Sequence, residues 1–157
     1  MVARRRGGVA VIEVEADIRR LPEDVFDYAS DPANELEWNI RLTSIDKLAG
    51  GPVGVGARYR MTFTSGPSAI SEVLRFERPN FWQLRGASKI LSSGFEGRVA
   101  PSAAGAHLTL RMELRLRGPL RLALPLVRRR MQRELERDIG AIKATLEAPS
   151  GPIERSE

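Results

Sequence analysis

From Ala10 to Ile18 apolar and acidic residues alternate: Ala10, Ile12, Val14, Ala16 and Ile18 fall on one side, Glu13, Glu15 and Asp17 on the other. A period of two predicts a strand with one face buried. Leu21-Pro22-Glu23-Asp24 then opens a helix, because proline suits a first turn and acids suit its positive end; Val25, Phe26 and Ala29 form its buried stripe, and it stops near Ser30. A second short helix is predicted from Pro32 to about Trp38 with Asp31 as its N-cap. Strands are predicted over Arg41–Leu48, Arg58–Thr64, Ala69–Phe76, Phe81–Arg85, Lys89–Val99 and His107–Arg117, with a glycine-rich loop from Gly50 to Gly56 and another loop from Ala100 to Gly105. Gly94 or Gly97 is where the strand after Lys89 can bend. The last strand is the clearest: Leu108, Leu110, Met112, Leu114 and Leu116 alternate with Thr109, Arg111, Glu113, Arg115 and Arg117. From Pro119 the period changes to three or four through Leu120, Leu124, Val127, Met131, Leu135, Ile139, Ile142 and Leu146, a long amphipathic helix with a kink expected near Pro125.

One strand, two short helices, about six strands and a long helix form an α+β order rather than alternating βαβ units. A sheet of that length with one apolar face must curl, and the last helix has the length and stripe to fill its concave side. The expectation is a helix-grip fold: a curved antiparallel sheet of six to seven strands around the C-terminal helix, with a ligand site between them. The chain suits one domain, taken as residues 1–148, with a frayed tail over 149–157.

Three stretches resemble the polyketide cyclase/dehydrase and lipid-transport superfamily, also described as START-like or Bet v 1-like. They are Pro22-Glu23-Asp24-Val25-Phe26-Asp27-Tyr28 with the following DPANELEWN, Phe76-Glu77-Arg78-Pro79 leading to Phe81-Trp82, and Leu108–Leu116 running through Gly118-Pro119-Leu120 into Leu124-Pro125-Leu126. The resemblance spans roughly Val9 to Leu146 and implies the helix-grip fold. It does not specify a ligand, since members bind lipids, sterols, polyketides and hormones, and only some are enzymes. In the family the tryptophan equivalent to Trp38 looks structural, sealing one end of the barrel.

Composition narrows the chemistry. Hydrophobic residues make up 42% and charged residues 29%, as in ordinary globular chains. With no cysteine, disulfides, thiolate metal sites and thiol nucleophiles are excluded, and a cytoplasmic location is expected. Glu13 and Glu15 interrupt the only stretch that starts like a secretory signal. The net charge of +5 is carried almost wholly by arginine, which a GC-rich coding sequence explains as well as anion binding does.

Catalytic candidates are few. His107 is the only histidine, and it sits at the start of a strand as a turn-flanking residue more than as a base; one histidine and no cysteine leave no metal site and no cofactor is expected. Glu72 shares parity with Ile70, Leu74 and Phe76. Facing inward, it would be a desolvated general base for a cyclisation or dehydration, with Tyr59 and Arg85 as companions; alternatively Ser71, Val73 and Arg75 face inward and Glu72 pairs with an arginine such as Arg60. The residues expected to line the pocket are Trp38, Tyr59, Met61, Phe63, Leu74, Trp82, Leu84, Phe95, Leu110, Met112, Val127 and Met131. Gly140 marks either close approach to the sheet or room for a ligand.

These observations support binding of a small hydrophobic molecule, with a polyketide cyclase/dehydrase-type enzyme as the alternative. Arg121, Arg128, Arg129, Arg130, Arg133 and Arg137 crowd the polar side of the last helix. They suit a solvated face balanced by Glu134, Glu136 and Asp138, or peripheral contact with an anionic membrane or a partner. No aromatic stacking platform accompanies them, so nucleic acid is not expected as a partner. The oligomeric state is open between monomer and homodimer.

Overall fold

The structure, a computed structural model, describes residues 8–49 and 51–149. Seven strands, β1 (Val9–Ile18), β2 (Leu42–Lys47), β3 (Arg58–Phe63), β4 (Ala69–Glu77), β5 (Phe81–Ala87), β6 (Leu91–Ser102) and β7 (Gly105–Leu116), form one antiparallel sheet in the order β1-β7-β6-β5-β4-β3-β2. Helices α1 (Pro22–Ser30) and α2 (Pro32–Trp38) lie between β1 and β2 in the chain, and α3 (Leu124–Glu147) packs mainly across β1 and β7. The elements match the predicted order, and the fold is the helix grip.

The local reasons are visible. Pro22 sits in the first turn of α1 with Glu23 and Asp24, and α1 ends at Asp31 because a residue before proline is pushed out of the helical region. Asp31 then caps α2, its carboxylate accepting the Ala33 N–H at 2.9 Å. Pro125 does not kink the last helix. A 3₁₀ segment, Gly118–Ala123, precedes α3, so the proline falls in the first helical turn, where its missing N–H has no intrahelical partner to lose. Leu120 consequently lies outside the buried stripe and is exposed. Gly50 of the glycine-rich loop and the expected frayed tail from residue 150 onward lie outside the described residues.

Three cross-strand rows on the concave face organise the interior. In the first, Phe76, Trp82, Gly97, Leu110 and Val14 stand opposite one another across β4, β5, β6, β7 and β1. A Cβ at Gly97 would collide with the Trp82 ring, so the glycine lets that indole lie flat on the sheet. Phe26 of α1 packs edge-on against Phe76 and Trp82, with centroids 5.2 and 5.4 Å away. The second row is Val73, Leu84, Phe95, Met112 and Ile12, and the third is Ser71, Gly86, Ser93, Leu114 and Ala10. The third row is short of side-chain volume over three adjacent strands.

Register also decides Glu72. A bulge at Leu74, between the pairs Val73–Leu84 and Arg75–Gln83, shifts the phase of β4 by one residue. Phe76 therefore shares a face with Val73 and Ser71, not with Leu74 and Glu72. Glu72 points to the convex side and bonds Arg85 at 3.0 Å, so both leave the set of interior catalytic candidates. Leu74 leaves the pocket for the same reason. Gly140 is exposed and a Cβ there would touch nothing, so neither close packing nor ligand space explains it.

Candidate functional site

A cavity of about 370 Å³ lies between the sheet and the N-terminal half of α3. Its floor combines the second and third rows: Leu84, Phe95 and Met112, then Ser71, Gly86, Ser93 and Leu114. Val127, Met131 and Leu135 of α3 form the roof, and Met61, Phe63 and Ala69 close the β3–β4 side. Small residues occupy the third row where the first carries aromatics, which leaves room beneath α3. Exposed lining residues mark the mouth: Thr64, Ser65 and Gly66 of the β3–β4 turn, with Ala87 and Ile90 beside the β5–β6 turn.

Of the residues expected to line a pocket, Trp38, Met61, Phe63, Trp82, Leu84, Phe95, Met112, Val127 and Met131 border this cavity. Three expected ones do not. Tyr59 faces the concave side but is packed into a second cluster with Ala57 and Val73, and its hydroxyl has no hydrogen-bond partner among the described residues. Leu110 is fully buried in the main core. Leu74 is displaced by the bulge.

Sequence reasoning missed the polar end of the cavity. Beside the expected Trp38, Glu35 of α2, Asn39 and Arg41 after it, and Arg130, Glu134 and Asp138 of α3 all line it. Arg41 Nε approaches Glu134 Oε2 at 3.0 Å, at an angle that makes the contact charge pairing rather than a directed hydrogen bond, and Arg41 Nη2 lies 3.8 Å from Asp138 Oδ2. Arg130 Nε donates to Glu134 Oε1 at 3.0 Å, and Asn39 Nδ2 donates to Glu35 Oε1 at 3.0 Å. Burial pushes the Glu35 carboxyl up to about 7, aided by the nearby Asp138 charge and opposed by the Asn39 hydrogen bond and Arg41. Burial likewise raises Asp138 to about 6, against the pull of Arg41. Glu35 keeps some exposed surface as a residue, while its carboxyl end is the desolvated part. A signal was available in part: Asp138 and Glu134 lie on the edge of the α3 stripe, one turn apart, but only the folded pairing with Arg41 shows that they turn inward.

His107 lies apart from the cavity. Its ring nitrogens contact Asp17 Oδ1 at 2.9 Å and Glu15 Oε2 at 3.3 Å, so it is an acid-flanked histidine between β1 and β7, with its pKa raised chiefly by the Asp17 hydrogen bond. Among the described residues no group of three or more histidine, aspartate or glutamate side chains could hold a metal ion.

A seven-stranded sheet gripping one long helix over a largely apolar cavity defines a helix-grip fold. The chain belongs to the polyketide cyclase/dehydrase and lipid-transport family, whose model matches residues 9–147. Among solved structures, the chain is similar to the two-domain aromatase/cyclase StfQ from the steffimycin biosynthetic pathway (16% identity, 91% of this chain and 52% of that chain, TM-score 0.76). A START superfamily protein from Mycobacterium smegmatis aligns at 16% identity over 90% of this chain and 98% of that chain, with a TM-score of 0.72. Ara h 8.0201 aligns at 15% identity over 86% and 98%, with a TM-score of 0.63. At such identities the likeness is one of fold. No curated protein matches the chain by sequence.

Proposed function

We propose that the protein binds a small hydrophobic molecule, of the lipid, isoprenoid or aromatic polyketide kind, in the cavity between the sheet and α3. Family and fold are consistent with hydrophobic-ligand binding or with polyketide cyclase-type function. The observation that carries the binding reading is the cavity itself: about 370 Å³, with a mostly apolar wall to which Leu84, Phe95, Met112, Leu114, Val127 and Met131 contribute, within the size range of small-molecule sites. The cyclase reading loses the residues first nominated for it, because Glu72 and Arg85 pair on the convex face and Tyr59 is packed away from the cavity. Native mass spectrometry of gently purified protein tests the proposal. A bound apolar molecule, released on denaturation, is the expected result; protein that carries none and takes up none from a lipid extract contradicts it. The reading includes a cytoplasmic location, checked by cell fractionation; among the described residues no helix is long and apolar enough to cross a membrane.

A second reading, peripheral contact with an anionic membrane, is favoured by one observation. Leu122 and Leu126 are 83% and 70% exposed beside the exposed Arg121, Arg128 and Arg129, close in sequence to the cavity-lining Val127. Apolar side chains flanked by arginines suit insertion between anionic headgroups, each basic residue adding about 1 kcal/mol near the surface. Pelleting with phosphatidylserine vesicles should weaken on charge reversal at Arg129 and Arg133 and on Leu122→Asp. Unchanged pelleting argues against the membrane reading.

A further inference from the structure

Resting on the binding reading above, the polar end of the cavity allows its ligand to be narrowed. Glu35, Glu134 and Asp138 contribute three carboxyl groups to this end, against two guanidinium groups, those of Arg41 and Arg130. Both cations are already engaged: Arg130 with Glu134, and Arg41 with Glu134, with Asp138 and with the Met131 sulfur at 3.4 Å. An incoming carboxylate or phosphate would therefore find no unengaged cation among these residues and would meet charges of its own sign in a desolvated place.

Apart from Arg41 Nε and Glu134 Oε2, which face each other as a charge pair, the unfilled hydrogen-bonding capacity at this end has both polarities. Asp138, 2% exposed, lines the cavity with an Oδ2 that has no hydrogen-bond partner among the described residues. Trp38, 5% exposed, lines the same end, and its indole N–H is also without a partner there. A carboxylate can only accept and an indole N–H can only donate, so a group that both donates and accepts satisfies the two together. A hydroxyl does so without bringing a charge into the cavity.

We propose that the ligand is an apolar molecule ending in a hydroxyl group, seated with that hydroxyl between the Trp38 indole and the Glu35–Asp138 carboxyls, and that the cavity rejects the corresponding carboxylate. The groups facing Glu35 are Asn39, Arg41 and Asp138, and those facing Asp138 are Arg41, Arg137 and Glu134. Raised by burial, Glu35 and Asp138 are nonetheless ionised well above neutrality, where the rejection is strongest.

The test is displacement of the neutral fluorophore N-phenylnaphthylamine by decanol, decylamine and decanoate at about pH 8, where both carboxyls are charged. Decanol should bind at least about tenfold more tightly than decanoate, the size of one well-made or one unmade polar contact. Glu35→Gln should narrow that ratio by admitting decanoate, whereas Trp38→Phe, which keeps an aromatic side chain but loses the pyrrole ring with its N–H, should weaken decanol by a larger factor than it weakens the fluorophore. Decanoate binding as tightly as decanol overturns the proposal, as does decylamine outranking decanol in the wild type and not in Glu35→Gln. Fluorophore uptake without discrimination among the chain ends sinks the hydroxyl assignment alone. Failure to take up the fluorophore or any of the three compounds sinks the binding reading together with it.

Discussion

The two halves of α3 carry the same apolar spacing and meet different surfaces. In the C-terminal half Ile139, Ile142 and Leu146 are buried in the core that includes Ile18, Phe26, Leu108 and Leu110. In the N-terminal half Leu124, Val127 and Met131 are only partly buried, and Val127 and Met131 hang over the cavity. The helix does not differ between these halves; the sheet beneath does. Where Trp82, Leu110 and Val14 stand up from it the space is filled, and where Ser71, Gly86 and Ser93 stand there is room for a guest. An amphipathic stripe alone therefore does not distinguish a core from a ligand roof.

The largest expected effect lies in the packed half. Ile142→Ala should destabilise the fold by about 3 kcal/mol in chemical denaturation, because a fully buried side chain is replaced by a hole. Val127→Ala, made over existing empty space, should cost less than about 1 kcal/mol. Equal losses at the two positions would break the comparison.

Next in size is the proton held at the polar end. With its folded pKa near 7 against an ordinary 4.5, Glu35 binds more protons in the native than in the unfolded state between those values. Its contribution is fully present below the ordinary value and is lost as pH rises through the folded one. Asp138, raised to about 6, acts in the same direction. Glu35→Gln should therefore be more stable than the wild type above neutrality, by roughly 2 kcal/mol, with the advantage shrinking toward about pH 5. A variant that is less stable at alkaline pH would show that the ionised carboxylate is a structural partner of Arg41.

The smallest effect belongs to the convex face. Glu72→Gln removes an exposed pairing with Arg85, for which a change within about 0.5 kcal/mol and no effect on ligand uptake are expected. Loss of uptake in that variant would return Glu72 to the site.

Much of the architecture was legible before the structure. Strict alternation in β1 and β7, the Asp31-Pro32 break and the shift of period after Pro119 each follow from local rules, and together they gave the helix grip. Illegible features depended on register. The bulge at Leu74 reverses the faces of half a strand, and no local signal marks it. Ser71, Gly86 and Ser93 are unremarkable singly and make a cavity only when three strands align them. Glu35, Glu134 and Asp138 read as ordinary surface acids until α2, the start of β2 and α3 converge on Arg41.

Titration of N-phenylnaphthylamine into the wild type and into Ser93→Leu tests the central claim most directly. Ser93 lies in the volume-poor row, so a leucine there grows into the cavity. The account predicts saturable uptake of one fluorophore per chain by the wild type and a loss of about tenfold or more in Ser93→Leu, with stability held or raised as apolar surface fills the void. Equal uptake by both proteins would place the fluorophore elsewhere and contradict the assignment of this cavity as the ligand site.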